Sequence, residues 1–124
     1  MIDAHAHLGK WFNFYYDSGE YLSMVRMMDK IKMDSAWISA LMGIGPDYKL
    51  GNEMVLQAIR AFPDRFKGYV ALSPHFPDEM QEELDKRFSQ GFIGIKLHPG
   101  THMYPIDGAG YLYAYEFGNK HKCP

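Results

Sequence analysis

The sequence predicts an α/β fold of four parallel β/α units, which is half of a TIM barrel, the (β/α)8 fold, built as a single domain over residues 1–124. Three observations predict it. Strand-like and helix-like segments alternate four times, and such alternation calls for parallel strands joined by right-handed crossovers. The 124 residues give about 31 per unit, near the roughly 30 of one β/α unit and about half of the roughly 250 of a closed barrel. The composition, 47 % hydrophobic and 23 % charged, is that of an ordinary folded domain and too apolar for a disordered chain. A chain of this size can bury roughly two thirds of its unfolded surface, so its core needs no staples.

The elements follow in order. Residues 1–7 form a strand in which Ile2, Ala4 and Ala6 alternate with Asp3, His5 and His7. An aromatic loop, Trp11 to Tyr16, ends at Asp17-Ser18-Gly19. Residues 20–33 form a helix, because Tyr21, Met24, Met28 and Ile31 share one face. Residues 35–42 are the second strand, and 43–51 a loop marked by Gly45-Pro46-Asp47. The second helix spans 52–62, with Val55, Ala58, Ile59 and Phe62 on one face and Pro63 as its stop. Residues 66–72 are the third strand. The loop 73–77 delivers a third helix from Asp78, along which Met80, Leu84 and Phe88 stack, and Gln90-Gly91 ends it. Residues 92–97 are the fourth strand, 98–110 a loop, and 111–119 a weaker fourth helix. A four-stranded parallel sheet leaves two edges and one face bare. The sequence stops where a turn into a fifth strand is expected, so the chain reads as the truncated first half of a longer (β/α)8 protein.

Composition narrows the partners. Thirteen basic and fifteen acidic residues give a formal charge of −2, which predicts neither a nucleic-acid footprint nor attraction to an anionic membrane. Cys123 is the single cysteine, so no intramolecular disulfide forms, which suits a reducing compartment. The N-terminus has no basic region followed by an apolar one. The longest apolar run, Ala36 to Ile44, is interrupted by Ser39 and is too short to span a bilayer. The expected location is the cytoplasm and the expected partner a small-molecule substrate. The bare edges suggest a homodimer in which two half barrels pair.

His5 and His7 are the principal candidates for chemistry. Residues i and i+2 of a strand point to one face about 6.6 Å apart, so two imidazoles can lean onto one divalent ion. They end the first strand, and parallel barrels carry their active sites at that end. The bare His-X-His pattern is weak in a chain with six histidines, and a merely polar strand end is the alternative reading.

The stretches MIDAHAHLG (residues 1–9) and GFIGIKLHPG (residues 91–100) resemble the amidohydrolase superfamily, within it the branch that includes aminocarboxymuconate-semialdehyde decarboxylase-like enzymes. The loop 73–77 fits the same pattern. The resemblance implies a TIM-barrel, metal-dependent hydrolase, in which a divalent metal, zinc foremost, activates water for attack on a carbonyl-type substrate. In some relatives the reaction is a metal-dependent decarboxylation. His5 and His7 match the first pair of metal ligands. The family also uses a histidine ending strand 5 and an aspartate ending strand 8, and this sequence has neither strand. The chain alone is therefore expected to bind metal weakly and to turn over little, and a non-catalytic α/β fragment is the remaining alternative. A His-X-His phosphoesterase would add further His and Asp clusters in later loops, and none is found.

Lys96 and His98, two apart at the end of the fourth strand, are the catalytic candidates. An inward lysine needs a partner, either a substrate carboxylate or a structural ion pair. A carbamylated metal-bridging lysine, used by some amidohydrolases, is a minor reading. His98 touches substrate or metal-bound water at the rim, or only shapes the loop before Pro99. Asp3 either orients a histidine or is a structural acid of the barrel floor. His75 and His102 lie in rim loops as possible substrate contacts or solvated residues, and His121 has no expected role. The aromatic run Trp11, Phe12, Phe14, Tyr15, Tyr16 is a lid over substrate or packing under a long loop. The methionines read as core filler. No phosphate loop, Ser/His/Asp triad or cysteine nucleophile is found.

Overall fold

The computed structural model describes residues 1–13, 15 and 18–124. Its strands are β1 (Ile2–Leu8), β2 (Ser35–Ala40), β3 (Phe66–Ala71) and β4 (Gly94–Lys96). Its helices are α1 (Tyr21–Lys30), α2 (Leu41–Ile44), α3 (Tyr48–Ala61), α4 (Met80–Ser89), α5 (Pro99–His102) and α6 (Leu112–His121), with single 3-10 turns at Pro77–Glu79 and Ala109–Tyr111. The four strands form one sheet in the order β1-β2-β3-β4 with every neighbouring pair parallel. This is the (β/α)4 architecture expected from the sequence. No described helix is long and apolar enough to cross a membrane.

The core fills the space between sheet and helices. Ile38 and Val70 face Val55 and Leu56 of α3, and Phe66, Leu84 and Phe92 continue the layer, all buried. Each such side chain stabilises the fold by about 1.5–3 kcal/mol relative to exposure. Met28 is the buried residue of α1. On α6, Phe117 and Ala114 play that part.

The structure departs from expectation at several element ends. β2 stops at Ala40, and the chain turns at once into α2. The helix α3 starts four residues before the predicted 52, because the Asp47 carboxylate accepts a 2.9 Å hydrogen bond from Leu50 N–H and caps it. α2 and α3 then cross with their backbones touching. A Cβ on Gly51 would lie 2.2 Å from Gly43 N, so glycine is required there. β4 is shorter than the predicted 92–97, since Phe92 N–H still closes the last turn of α4 on the Arg87 carbonyl.

A buried polar network fixes the end of β3. Asn52 on α3 accepts from Ala71 N–H at 2.8 Å and donates to Ala71 O at 3.0 Å and to Glu83 Oε1 at 2.9 Å. Glu83 in turn pairs with Arg87 at 2.7 Å, and Arg87 reaches Glu53 at 2.9 Å. Arg87 and Glu83 are 2 % and 4 % exposed, so each charge depends on the other for solvation.

The inner face of the sheet is floored by Tyr69. Its hydroxyl crosses β2 and donates to Ala4 O of β1 at 3.1 Å. Gly94 makes the room, because a Cβ there would lie 2.8 Å from the Tyr69 ring. Trp37 packs against the same ring, with centroids 6.1 Å apart.

Candidate metal centre

The site is built at the end of β1. The β1–β2 register slips between Asp3 and Ala6, and beyond that bulge His7 lies opposite Ser39 and Leu8 opposite Ala40. The imidazoles of His5 and His7 come together, centroids 4.9 Å apart and planes at 73°. The structure thus gathers the pair that the sequence singles out.

Each ring is held by one atom. His7 Nδ1 shares a 3.0 Å hydrogen bond with Ser39 Oγ, and Ser39 is 1 % exposed. When Nδ1 carries the proton and donates to Ser39, Nε2 keeps its lone pair free for a metal ion. His5 Nε2 instead accepts a 2.8 Å hydrogen bond from the Lys96 ammonium. The pKa of His7 is lowered to about 4, first by burial and then by the charge of Lys96, with smaller contributions from His5 and His98, while Ser39 acts the other way. His7 is therefore neutral at pH 7, as a metal ligand must be. Burial also pushes the Lys96 ammonium below its usual pKa. Among the described residues no carboxylate lies within ion-pair distance of Lys96.

These residues fit half of a metal site. Two imidazoles converge, but among the described residues no group of three or more His, Cys, Asp or Glu could hold an ion. Catalytic zinc typically takes three protein ligands and an open position. Shallow cavities flank the pair. One, of about 490 Å³, runs beside His7 past Ser18, Glu20 and Ser23. The other, of about 270 Å³, lies between His5, Tyr69 and Lys96.

The remaining candidates separate. His98 Nδ1 accepts from Thr101 N–H at 3.1 Å and caps α5, so the ring proton of its neutral form sits on Nε2, and it lies near enough to His7 to depress its pKa. Asp3 accepts the backbone N–H of His5 at 2.9 Å rather than an imidazole proton. His75 Nε2 donates to His102 O at 2.8 Å. His102 is buried, shares a 3.0 Å hydrogen bond with Tyr111 and has no partner for Nε2. Both histidines thus hold the loop after β4 together. His121 stacks on Phe117. Trp11 packs on Leu41, Ile44 and Ala71, whereas Phe12 and Tyr15 are 84 % and 86 % exposed. Phe14 and Tyr16 of the same run lie outside the described residues.

Ser39 is the residue of the candidate site that sequence reasoning missed. Its one signal was the break it makes in the apolar run 36–44. Its meaning depends on the β1–β2 register.

The chain belongs to the amidohydrolase family, whose model matches residues 2–124. Solved structures share the fold. The 5-carboxyvanillate decarboxylase of Novosphingobium aromaticivorans, complexed with manganese, is 21 % identical with a TM-score of 0.71, over 82 % of this chain and 32 % of that one. The 4-oxalomesaconate hydratase of Rhodopseudomonas palustris is 19 % identical with a TM-score of 0.69, over 99 % and 50 %. A probable 2-pyrone-4,6-dicarboxylic acid hydrolase of Acinetobacter baumannii is 19 % identical with a TM-score of 0.68, over 98 % and 46 %. At such identities the likeness is one of fold. The chain spans a third to a half of the length of these proteins. No curated protein sequence matched it.

Proposed function

We propose that this chain is the metal-holding half of a divalent-metal-dependent enzyme that decarboxylates a small carboxylic acid. The observation that carries the reading is the convergence of the His5 and His7 rings at the mouth of the half barrel. The chemistry gained on binding a divalent ion there is Lewis-acid polarisation of a substrate oxygen. His5 and His7 would hold the ion and Ser39 would fix the His7 ring. Lys96, with His98 two residues on, makes the mouth basic, which suits an anionic substrate. Tyr69 closes the floor beneath. Decarboxylases among the structural neighbours support the reaction type, and manganese in two of them makes manganese as fitting an ion as zinc.

Hydrolysis is the second reading, favoured by the family match and by the probable hydrolase among the neighbours. With two ligands the chain should hold its ion weakly and exchangeably. The test is a Mn(II) titration of the chain followed by paramagnetic broadening of imidazole resonances. Broadening of His5 and His7 first is expected, with Mn(II) uptake, read from free Mn(II) by EPR, abolished in His5→Ala/His7→Ala. A panel of hydroxybenzoates scored for CO2 release, against lactones and amides scored for hydrolysis, separates the two reactions. Turnover confined to the second set would overturn decarboxylation.

A further inference from the structure

The lone pair of His5 that would take a metal ion is already engaged. Lys96 Nζ lies 2.8 Å from His5 Nε2, across 91 positions of sequence. An ammonium has donors only, so the contact fixes His5 Nε2 as the acceptor. An ion ligated through that nitrogen must displace Lys96. The displaced ammonium stays among imidazoles, because the side chain leaves the last residue of β4 beside His5 and near His7, with His98 also close to His7. None of these groups offers it a negative charge.

The geometry points to Lys96 as a gate that couples metal and carboxylate binding: a carboxylate draws the ammonium off His5 and frees Nε2 for the ion, and the ion in turn releases the ammonium for the carboxylate. This inference rests on the metal-centre reading and adds to it the order and mutual dependence of loading. Linkage requires the two effects to be equal. A substrate carrying a carboxylate thereby strengthens the site that acts on it, and a neutral analogue does not.

The experiment uses the full chain and Mn(II), with binding read from broadening of the His5 and His7 resonances and from free Mn(II) by EPR. In the wild type, sodium benzoate should tighten Mn(II) binding about tenfold over sodium chloride at equal ionic strength, while benzamide should leave it unchanged. This comparison needs no variant. In Lys96→Met, Mn(II) should bind about tenfold tighter than in the wild type without any benzoate, and benzoate should add nothing. Lys96→Gln should fall between the two, because its amide can still donate but without the charge.

Unchanged or weaker Mn(II) binding in a folded Lys96→Met overturns the gate. So does a benzoate effect that survives that substitution, which would mean that benzoate bridges to the ion directly, and so does an equal effect of benzamide. Mn(II) binding to neither the wild type nor Lys96→Met overturns the metal-centre reading itself. Failure of the gate alone is therefore distinguishable from failure of the site.

Discussion

Ser39 Oγ and His7 Nδ1, 3.0 Å apart, join two strands at the one point where ring orientation matters. Removing the hydroxyl in Ser39→Ala should weaken Mn(II) binding by about ten- to a hundredfold, with Ser39→Thr restoring much of it. A titration of the three proteins measures this. His7 also ties stability to pH in the metal-free protein. Its pKa falls from 6.5 to about 4 on folding, so between those values the unfolded chain binds a proton that the folded chain does not. Stability is therefore full above pH 6.5, declines as pH falls toward about 4, and levels off below. Urea midpoints across that window should show the slope, and His7→Asn should flatten it. The His-X-His pair was legible in the sequence because both histidines lie on one strand at a spacing that strand geometry interprets. Ser39 and Tyr69 were legible only as residue types, and Lys96 was legible as a candidate at the end of the fourth strand, but its partner was not. Their contacts with β1 span 32, 65 and 91 positions and exist only once register and curvature are set.

Elements were legible where apolar periodicity is strong and illegible where their ends depend on side-chain hydrogen bonds. The alternation of strand and helix could be read from the stripes of α1, α3 and α4. The first turn of α3 could not, because Gly45-Pro46 advertises a loop while Asp47 caps a helix. Asp47→Ala should cost about 1 kcal/mol, seen as a lower urea midpoint at constant m-value. The buried pair on α4 is the stronger test. Arg87→Ala strands Glu83 without a counter-charge and takes one hydrogen-bond partner from the cluster that holds Asn52 against β3. The expected loss is about 3–5 kcal/mol by the same measurement. Replacing the whole cluster with apolar residues of equal volume should cost far less, since a buried ion pair adds little net stability over good packing.

At the scale of the molecule, the fold is half of a closed barrel, and its inward curl is tied by one tyrosine. Tyr69→Phe should lower stability by about 0.5–1.5 kcal/mol and loosen the approach of β1 to β4, measured as weaker nuclear Overhauser contacts between His5 and Lys96. The tie has a thermodynamic consequence for ligand capture. Because the hydroxyl bridge spans β1 and β3 within one chain, the bend that brings β4 toward β1 is set when the domain folds. The entropy of aligning two imidazoles is lost at that moment, so an ion that displaced Lys96 from His5 would not also have to order the two rings.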